Sequence, residues 1–432
     1  MSARPRGSAL ALDGGVALLF TGFFMTGTLA PLLGASLGAP PAVIGVVVAA
    51  AFAFPLFLAI PVGGLIDRVG AKPVLLAGAG LLTFAPLLVA ASPSLAALLA
   101  VQVLAGLGQL LGVVAAQASV ASFGAGRDRE RHFGWYGAFV STGQMAGPIA
   151  AGVLLDLAGF RVAYGVASVA SIAAFASFAA IAVPRRGEAR EAGPEPTATR
   201  DAEVDHAGST DGRTHGRTGD AAEARPGRRP LVASPRVLAS LLRLPSVRVS
   251  LWASGTAMIV MTVHNSFVPA FLGERAVAGT LIGAIVSARS LASVLVRPFM
   301  PRVVAAVGGR LRTFVIMLAA AALGVALGAA GAVVPLLLTA SLVLGVSIGV
   351  AQPLTMVSMV EEVERATHGT AFGLRITANR LVQFTSPLLL GLVAQALGYR
   401  AMFVVAALVI GTTAALLAAR RDRFAAIEPN ET

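Results

Sequence analysis

Long apolar runs separated by short polar turns set the pattern of this chain. Twelve can be marked, over 14–34, 42–62, 73–91, 95–117, 133–154, 162–183, 249–271, 279–299, 313–331, 333–357, 370–394 and 401–419. Each is roughly 18 to 25 residues long, enough to cross a hydrocarbon core of about 30 Å as a helix. Backbone groups in lipid must hydrogen-bond within their own segment, so spans of this length are expected to be helices. The pattern breaks once, over 184–246, which is rich in Arg, Glu, Asp, Gly, Thr and Pro. Such a segment buries too little apolar surface to fold, and a disordered linker is expected there. It divides the spans six and six, into bundles at 1–183 and 247–432. The predicted fold class is an all-α membrane protein of two six-helix bundles.

Composition agrees with the pattern. Hydrophobic residues make up 56% of the chain and charged residues 12%, against about 25% charged in soluble proteins. The net charge of +12 suggests nucleic acid until its location is read. In the N-terminus and short loops it collects on one side, at Arg4, Arg6, Arg68, Lys72, Arg127, Arg129, Arg131, Arg302, Arg310, Arg312, Arg365, Arg420, Arg421 and Arg423. The other side has Arg161, Arg275 and Arg400. The positive-inside rule then puts both termini in the cytoplasm of a multi-pass cell-membrane protein. No nucleic-acid partner is implied. With no cysteine in the chain, disulfides, thiol chemistry and Cys-ligated metal sites are excluded.

The two bundles look duplicated. An offset of 239 pairs Phe133 with Phe372, Gly134 with Gly373, Gln144 with Gln383, Pro148 with Pro387, Gly152 with Gly391, Gly159 with Gly398 and Arg161 with Arg400. An offset of 238 pairs Val69 and Gly70 with Val307 and Gly308, and Lys72 with Arg310. Six-helix repeats of the same orientation, joined by a long loop, are the arrangement of parallel-repeat transporters.

Two stretches carry motifs. The loop between the second and third spans reads Gly63-Gly64-Leu65-Ile66-Asp67-Arg68-Val69-Gly70-Ala71-Lys72. Asp67 can cap or pair at a helix end there, while Arg68 and Lys72 anchor the loop. In the fifth span, Gly143, Gly147 and Ala151 recur every four residues and leave one helix face nearly bare. Pro148 should bend that helix. A bare, kinked face allows close approach of a neighbouring helix. The loop is similar to the cytoplasmic motif G-x-L-x-D-R-x-G-x-[RK] of the major facilitator superfamily, which the chain resembles over essentially its whole length. Gly134, Gly143, Gly147, Pro148, Ala151 and Gly152 are similar to the antiporter motif G(x8)G(x3)GP(x2)GG, with Ala151 the departure. The resemblance implies the twelve-helix drug:proton antiporter branch, whose members export amphipathic compounds. It also implies a gating role for Asp67, Arg68, Lys72, Gly143, Gly147 and Pro148. One position departs: the arginine usual in the fourth span is Gln102 here.

Polar groups within spans are costly and therefore candidate sites. Gln102 and Gln109 share a face of the fourth span, where they line a cavity or bond neighbouring helices. Arg289 lies mid-way along the eighth span, with Ser293 and Arg297 on its face. Arg380 is about ten residues into the eleventh, roughly 15 Å deep, near Arg375, Asn379 and Gln383. Arg289 and Arg380 are expected to bind an anionic or acceptor-rich substrate group. The alternative places them on helix-end carbonyls or on Glu361, Glu362 and Glu364. His264 and Asn265 in the seventh span either serve the substrate or pack by hydrogen bonding, and His264 could carry a proton. No carboxylate sits at mid-membrane, which leaves Asp13 as proton carrier by elimination.

No metal-ligand spacing, nucleotide cradle or nucleophile–base pair is present, so no cofactor and no enzymatic reaction are expected. The chain is read as a monomeric secondary transporter of a small organic molecule, exporting it in exchange for protons. Uptake or facilitated diffusion of an organic anion is the alternative, followed by a membrane sensor of the same fold.

Overall fold

The computed structural model describes residues 6–121, 127–181, 235–361, 363 and 367–419. The first half comprises α1 (Arg6–Ser36), α2 (Pro41–Val69), α3 (Ala71–Ala91), α4 (Leu95–Ala121) and α5 (Arg127–Ala179). The second comprises α6 (Pro235–Arg243), α7 (Pro245–Thr262), α8 (Val268–Gly273), α9 (Gly279–Val296), α10 (Met300–Val307), α11 (Arg310–Leu327), α12 (Val334–Glu361) and α13 (His368–Ala419). No strand occurs among the described residues. Ten helical stretches among them are long and apolar enough to cross a membrane. Two of these belong to α5 and α13, of 53 and 52 residues, each of which turns a corner at one glycine. Gly159 has φ 76° and Gly398 φ 82°, a conformation that strains any residue with a Cβ. The two glycines are mates in the 239-residue repeat. Taking each long helix as two arms agrees with the twelve expected spans.

The linker expected over 184–246 lies outside the described residues as far as 234. Its last part is helical rather than disordered, because α6 covers Pro235–Arg243 and α7 starts at Pro245. The reason is local. Leu241 is buried and joins Val247, Met359, Val363 and Ala371 in one apolar cluster.

Helices within a half are drawn together by missing side chains. A Cβ on Gly106 of α4 would collide with the Ala51 carbonyl of α2, and one on Gly78 of α3 would stand 2.8 Å from the Gly108 carbonyl of α4. Lipid tails are as apolar as leucine, so close backbone contact of this kind, not exclusion from water, holds membrane helices together.

The halves meet along two crossings. In one, α5 lies on α9: Gly283 faces the Pro148 carbonyl and Gly152 faces that of Gly279, each too close to admit a Cβ. In the other, α13 lies on α2: Gly45 faces the Pro387 carbonyl, and a Cβ on Gly391 would be 2.7 Å from the Pro41 carbonyl. The crossings are repeat-mates. The 239 offset relates Pro148 to Pro387 and Gly152 to Gly391, and the 238 offset relates Gly45 to Gly283.

The two ends of the bundle differ. At the end carrying the turns 37–40 and 274–278, one apolar core includes Leu32, Ile44 and Val48 of the first half with Val263, Phe267 and Leu390 of the second. At the end carrying the 63–72 loop, the clusters among the described residues are each confined to one half. Leu12, Val62, Val74 and Phe178 form one, and Val249, Phe314, Leu354 and Leu417 another. We call these the closed end and the loop end.

Gly106→Ala should lower stability by about 1–3 kcal/mol through overpacking. Gly80→Ala, which meets open space, should be neutral or stabilising by up to about 1 kcal/mol. Thermal unfolding in detergent, followed by circular dichroism, compares them, and equal effects would contradict the close-approach account.

Candidate functional site

A cavity of about 280 Å³ lies between the halves, near the lower end of the roughly 300–1,000 Å³ of small-molecule sites. The first half contributes Phe20, Phe23 and Phe24 from α1, Val48 and Phe52 from α2, and Gln109 and Gln144. The second contributes Met258, Met261 and Thr262 from α7, Asn265 and Ser266, and Ile376, Asn379, Arg380 and Gln383 from α13. Gln144 and Gln383, repeat-mates in the sequence, both reach it. No carboxylate lines it among the described residues.

The aromatic wall is set by the bare face of α5. A Cβ on Gly143 would stand 2.6 Å from the Phe20 Cβ and 2.7 Å from the Ala17 carbonyl. One on Gly147 would stand 2.8 Å from both the Phe24 Cβ and the Thr21 carbonyl. The small-residue face therefore seats α1 within its own half, and Pro148 and Gly152 make the contact with the other half. Phe23 and Phe24 meet edge to face at 5.4 Å, and Phe20 stacks on Phe24 at 6.2 Å.

The polar wall is one face of α13. Arg380 donates from Nη1 to the Gln383 Oε1 at 3.2 Å, and the Ser254 hydroxyl of α7 donates to the Asn379 Oδ1. Beside them, the seventh span widens into one π-type turn over Val263–Phe267. Such turns mark functional sites often enough to note. Asn265 and Ser266 of this turn face the cavity, while the Asn265 Oδ1 itself is buried without a hydrogen-bond partner.

Arg380, Asn379, Gln109 and Asn265 of the sequence candidates are thus brought together. The others are placed elsewhere. Arg289 is 2% exposed, donates to the Ser290 hydroxyl at 3.1 Å and does not line the cavity. Its carbonyl is pressed by Gly345 of α12, so this face of α9 is turned into its own half. His264 is 1% exposed, with Nε2 3.4 Å from the Val286 carbonyl, and faces a small void beside Ser341 and Phe403. Gln102 is buried in α4. Arg375 donates to Gln352 and Thr355, both at 2.9 Å, and Arg297 reaches the Ser141 hydroxyl of α5 at 3.4 Å. Asp13 is buried on α1, near enough to His132 for their charges to interact. Lys72 donates to the carbonyls of Ala179 and Ile181 at 2.7 and 2.6 Å, which suits a cation at a helix C-terminus. Asp67 and Arg68 are exposed at the loop end. Glu362, Glu364 and the side chain of Glu361 lie outside the described residues.

Two features escaped the sequence. The phenylalanines of α1 follow an i, i+3, i+4 pattern that reads equally well as core. Asp156, within the long helix α5, caps a helix of the other half. Its carboxylate accepts from the Gly279 and Thr280 N–H groups at 2.7 and 2.8 Å and from the Thr280 hydroxyl at 2.7 Å. These are the first N–H groups of α9, which have no partner within the helix. The Ser287 hydroxyl continues the seam, donating to the Met145 carbonyl at 2.7 Å.

A sequence profile described as the Major Facilitator Superfamily matches residues 12–277 and 250–432. The class C tetracycline resistance protein of Escherichia coli is 41% identical over 109 residues. That stretch is 25% of this chain and 27% of the relative, so the match spans about a quarter of the relative's length. Among solved structures, the nucleoside transporter NupG superposes with a TM-score of 0.72 at 15% identity, covering 95% of this chain and 98% of that one. The peptide transporter POT in complex with sulfate gives 0.69 at 14% identity, covering 98% and 96%. A bacterial homologue of the human lysosomal transporter Spinster, inward-facing and unoccupied, gives 0.70 at 13% identity and covers both chains completely. At these identities the likeness is one of fold.

Asp156→Ala removes the cap and should release the closed end. An N-cap loss of about 0.5–2 kcal/mol corresponds to a two- to thirtyfold shift in population. Because the chain has no cysteine, spin labels at Leu37→Cys and Glu274→Cys report the distance across that end. It should lengthen in the variant, and an unchanged distribution would reduce the cap to local packing.

Proposed function

The chain belongs to the major facilitator superfamily, and from that premise we propose that it exports a small organic molecule in exchange for protons, its halves rocking about the cavity. The family makes it a multi-pass membrane transporter of small molecules rather than an enzyme. The observation that carries the mechanism is the asymmetry of the bundle. An apolar core joins the halves at one end, none among the described residues joins them at the other, and a cavity lies between. Rocking about the two glycine crossings would exchange the ends, which is what alternating access requires.

Orientation follows from charge. The loop end carries Arg68, Lys72, Arg302, Arg310 and Arg312, so the positive-inside rule assigns it to the cytoplasm. The closed end then faces out and the described state opens inward. Export is supported by the likeness of a quarter of the chain to a tetracycline resistance protein. It is also supported by the antiporter-like glycines, whose seating of α1 gives them a role in shaping the cavity.

Proton exchange needs a titrating group that substrate or conformation can reach. Asp13 fits best: it is buried on α1 near the loop end, beside His132 at the start of α5. His264 has the right chemistry but faces the small void, away from the cavity. Uptake or facilitated diffusion of an organic anion is the second reading, favoured by Arg380 and by the lack of a lining carboxylate.

Counterflow in proteoliposomes should detect exchange of a bound substrate, and its absence would contradict transport. Asp13→Asn should abolish accumulation driven by an imposed pH gradient while leaving counterflow within about twofold of the unaltered protein. Undiminished proton-driven flux in the variant would remove Asp13 from the coupling path. If flux in the unaltered protein ignores the gradient, the second reading is the better one.

A further inference from the structure

Resting on the transporter reading above, we infer that the substrate is an aromatic anion, its ring against the phenylalanine wall of the first half and its charged oxygens on α13 of the second. The charge of the cavity points first to this. Arg380 is the charged side chain lining it, and among the described residues no carboxylate does. A cationic amphipath would enter a site with a fixed positive charge and no counter-charge.

The hydrogen bonds sharpen the point. Gln383 spends its amide oxygen on the Arg380 Nη1, and Asn379 spends its own on the Ser254 hydroxyl. Both side chains line the cavity. Each oxygen already accepts one hydrogen bond from a neighbour, and the NH2 groups are the donors they can still offer. Arg380 adds further N–H groups, all donors. Gln383 lies four residues on from Asn379 and three from Arg380, next to both on the helix surface, so the donors gather on one side of the cavity. Amide donors gathered around a cation fit a carboxylate or enolate, and the planar guanidinium can grip two oxygens at once.

The opposite wall selects the rest of the molecule. Phe20, Phe23 and Phe24 form one aromatic cluster, and Met258 and Met261 line the cavity from α7. Ring edges and thioethers both favour contact with a flat aromatic face. A ligand held this way touches both halves, its ring on the phenylalanines of the first and its charge on α13 of the second. It therefore has different contacts in the open and closed arrangements, the condition for a ligand to bias the equilibrium between them.

Calorimetric titration of the purified full-length protein with four probes of one shape tests the assignment. These are 2-naphthoate, 2-naphthylmethanol, 2-naphthylmethylammonium and decahydro-2-naphthoate. The anion with aromatic rings should bind at least tenfold more tightly than each of the other three. Gln383→Glu, which gives Arg380 an internal carboxylate, should weaken 2-naphthoate at least tenfold while the melting profile stays unchanged. An ammonium probe that binds as tightly as 2-naphthoate, no binding by any probe, or an unaltered naphthoate affinity in folded Gln383→Glu would overturn the inference. If the variant misfolds, the ranking on the unaltered protein decides alone. Counterflow separates the two proposals. Naphthoate that binds without being exchanged contradicts transport and supports the ligand class, whereas exchange of the ammonium probe overturns the class and supports transport.

Discussion

Two backbone crossings hold this molecule together and decide how it can move. At each, a proline-bearing helix of one half lays a carbonyl against a glycine of the other, Pro148 on Gly283 and Pro387 on Gly45. In lipid there is little hydrophobic force between helices, so contact distance is the main source of cohesion. A side chain at either glycine would separate the halves. The crossings are related by the internal repeat, which gives the halves two equivalent seams and a cavity between them. At the first seam the close backbone contact is supplemented by side-chain hydrogen bonds from Asp156 and Ser287. The cap of Asp156 on α9 and the shared apolar core both lie at the end that is shut.

The cavity depends on the same economy of side chains. Gly143 and Gly147 let α1 settle against α5, and that contact fixes where Phe20 and Phe24 stand. The aromatic wall is thus a consequence of two missing Cβ atoms on a different helix. Across the cavity, α13 supplies donors at three neighbouring positions, steadied by Gln383 and Ser254. One half offers apolar rings and the other offers charge. A molecule carrying both features is the natural occupant of the space between.

The all-helical, membrane-spanning character of the chain was legible in the sequence, because each span must bury its own backbone and advertises itself by length and apolarity. The bends at Gly159 and Gly398 were present as a repeat pair, although sequence alone gives no φ. Helix rotation was not legible. Arg289 and Arg380 both lie within spans beside other polar groups, yet Arg289 is buried away from the cavity and Arg380 lines it. The Arg289 carbonyl lies against Gly345, a contact 56 residues away in the chain that no local pattern announces. Gly283 went unremarked for the same reason: a glycine in an apolar span has no partner until the fold supplies one. The 238 offset pairs it with Gly45. The helix at Pro235–Arg243 was missed because the polar stretch before it dominates the composition of the whole linker.

For the halves to rock as proposed, the closed end must open during transport. Gly273 of α8 and Leu32 of α1 sit in contact across the halves at that end, where a Cβ on Gly273 would be 2.8 Å from a Leu32 methyl carbon. The chain has no cysteine of its own, so the pair Leu32→Cys and Gly273→Cys can be cross-linked without competing thiols. Counterflow in proteoliposomes should stop when the disulfide forms and return when it is reduced. Full exchange through the cross-linked protein would contradict the account.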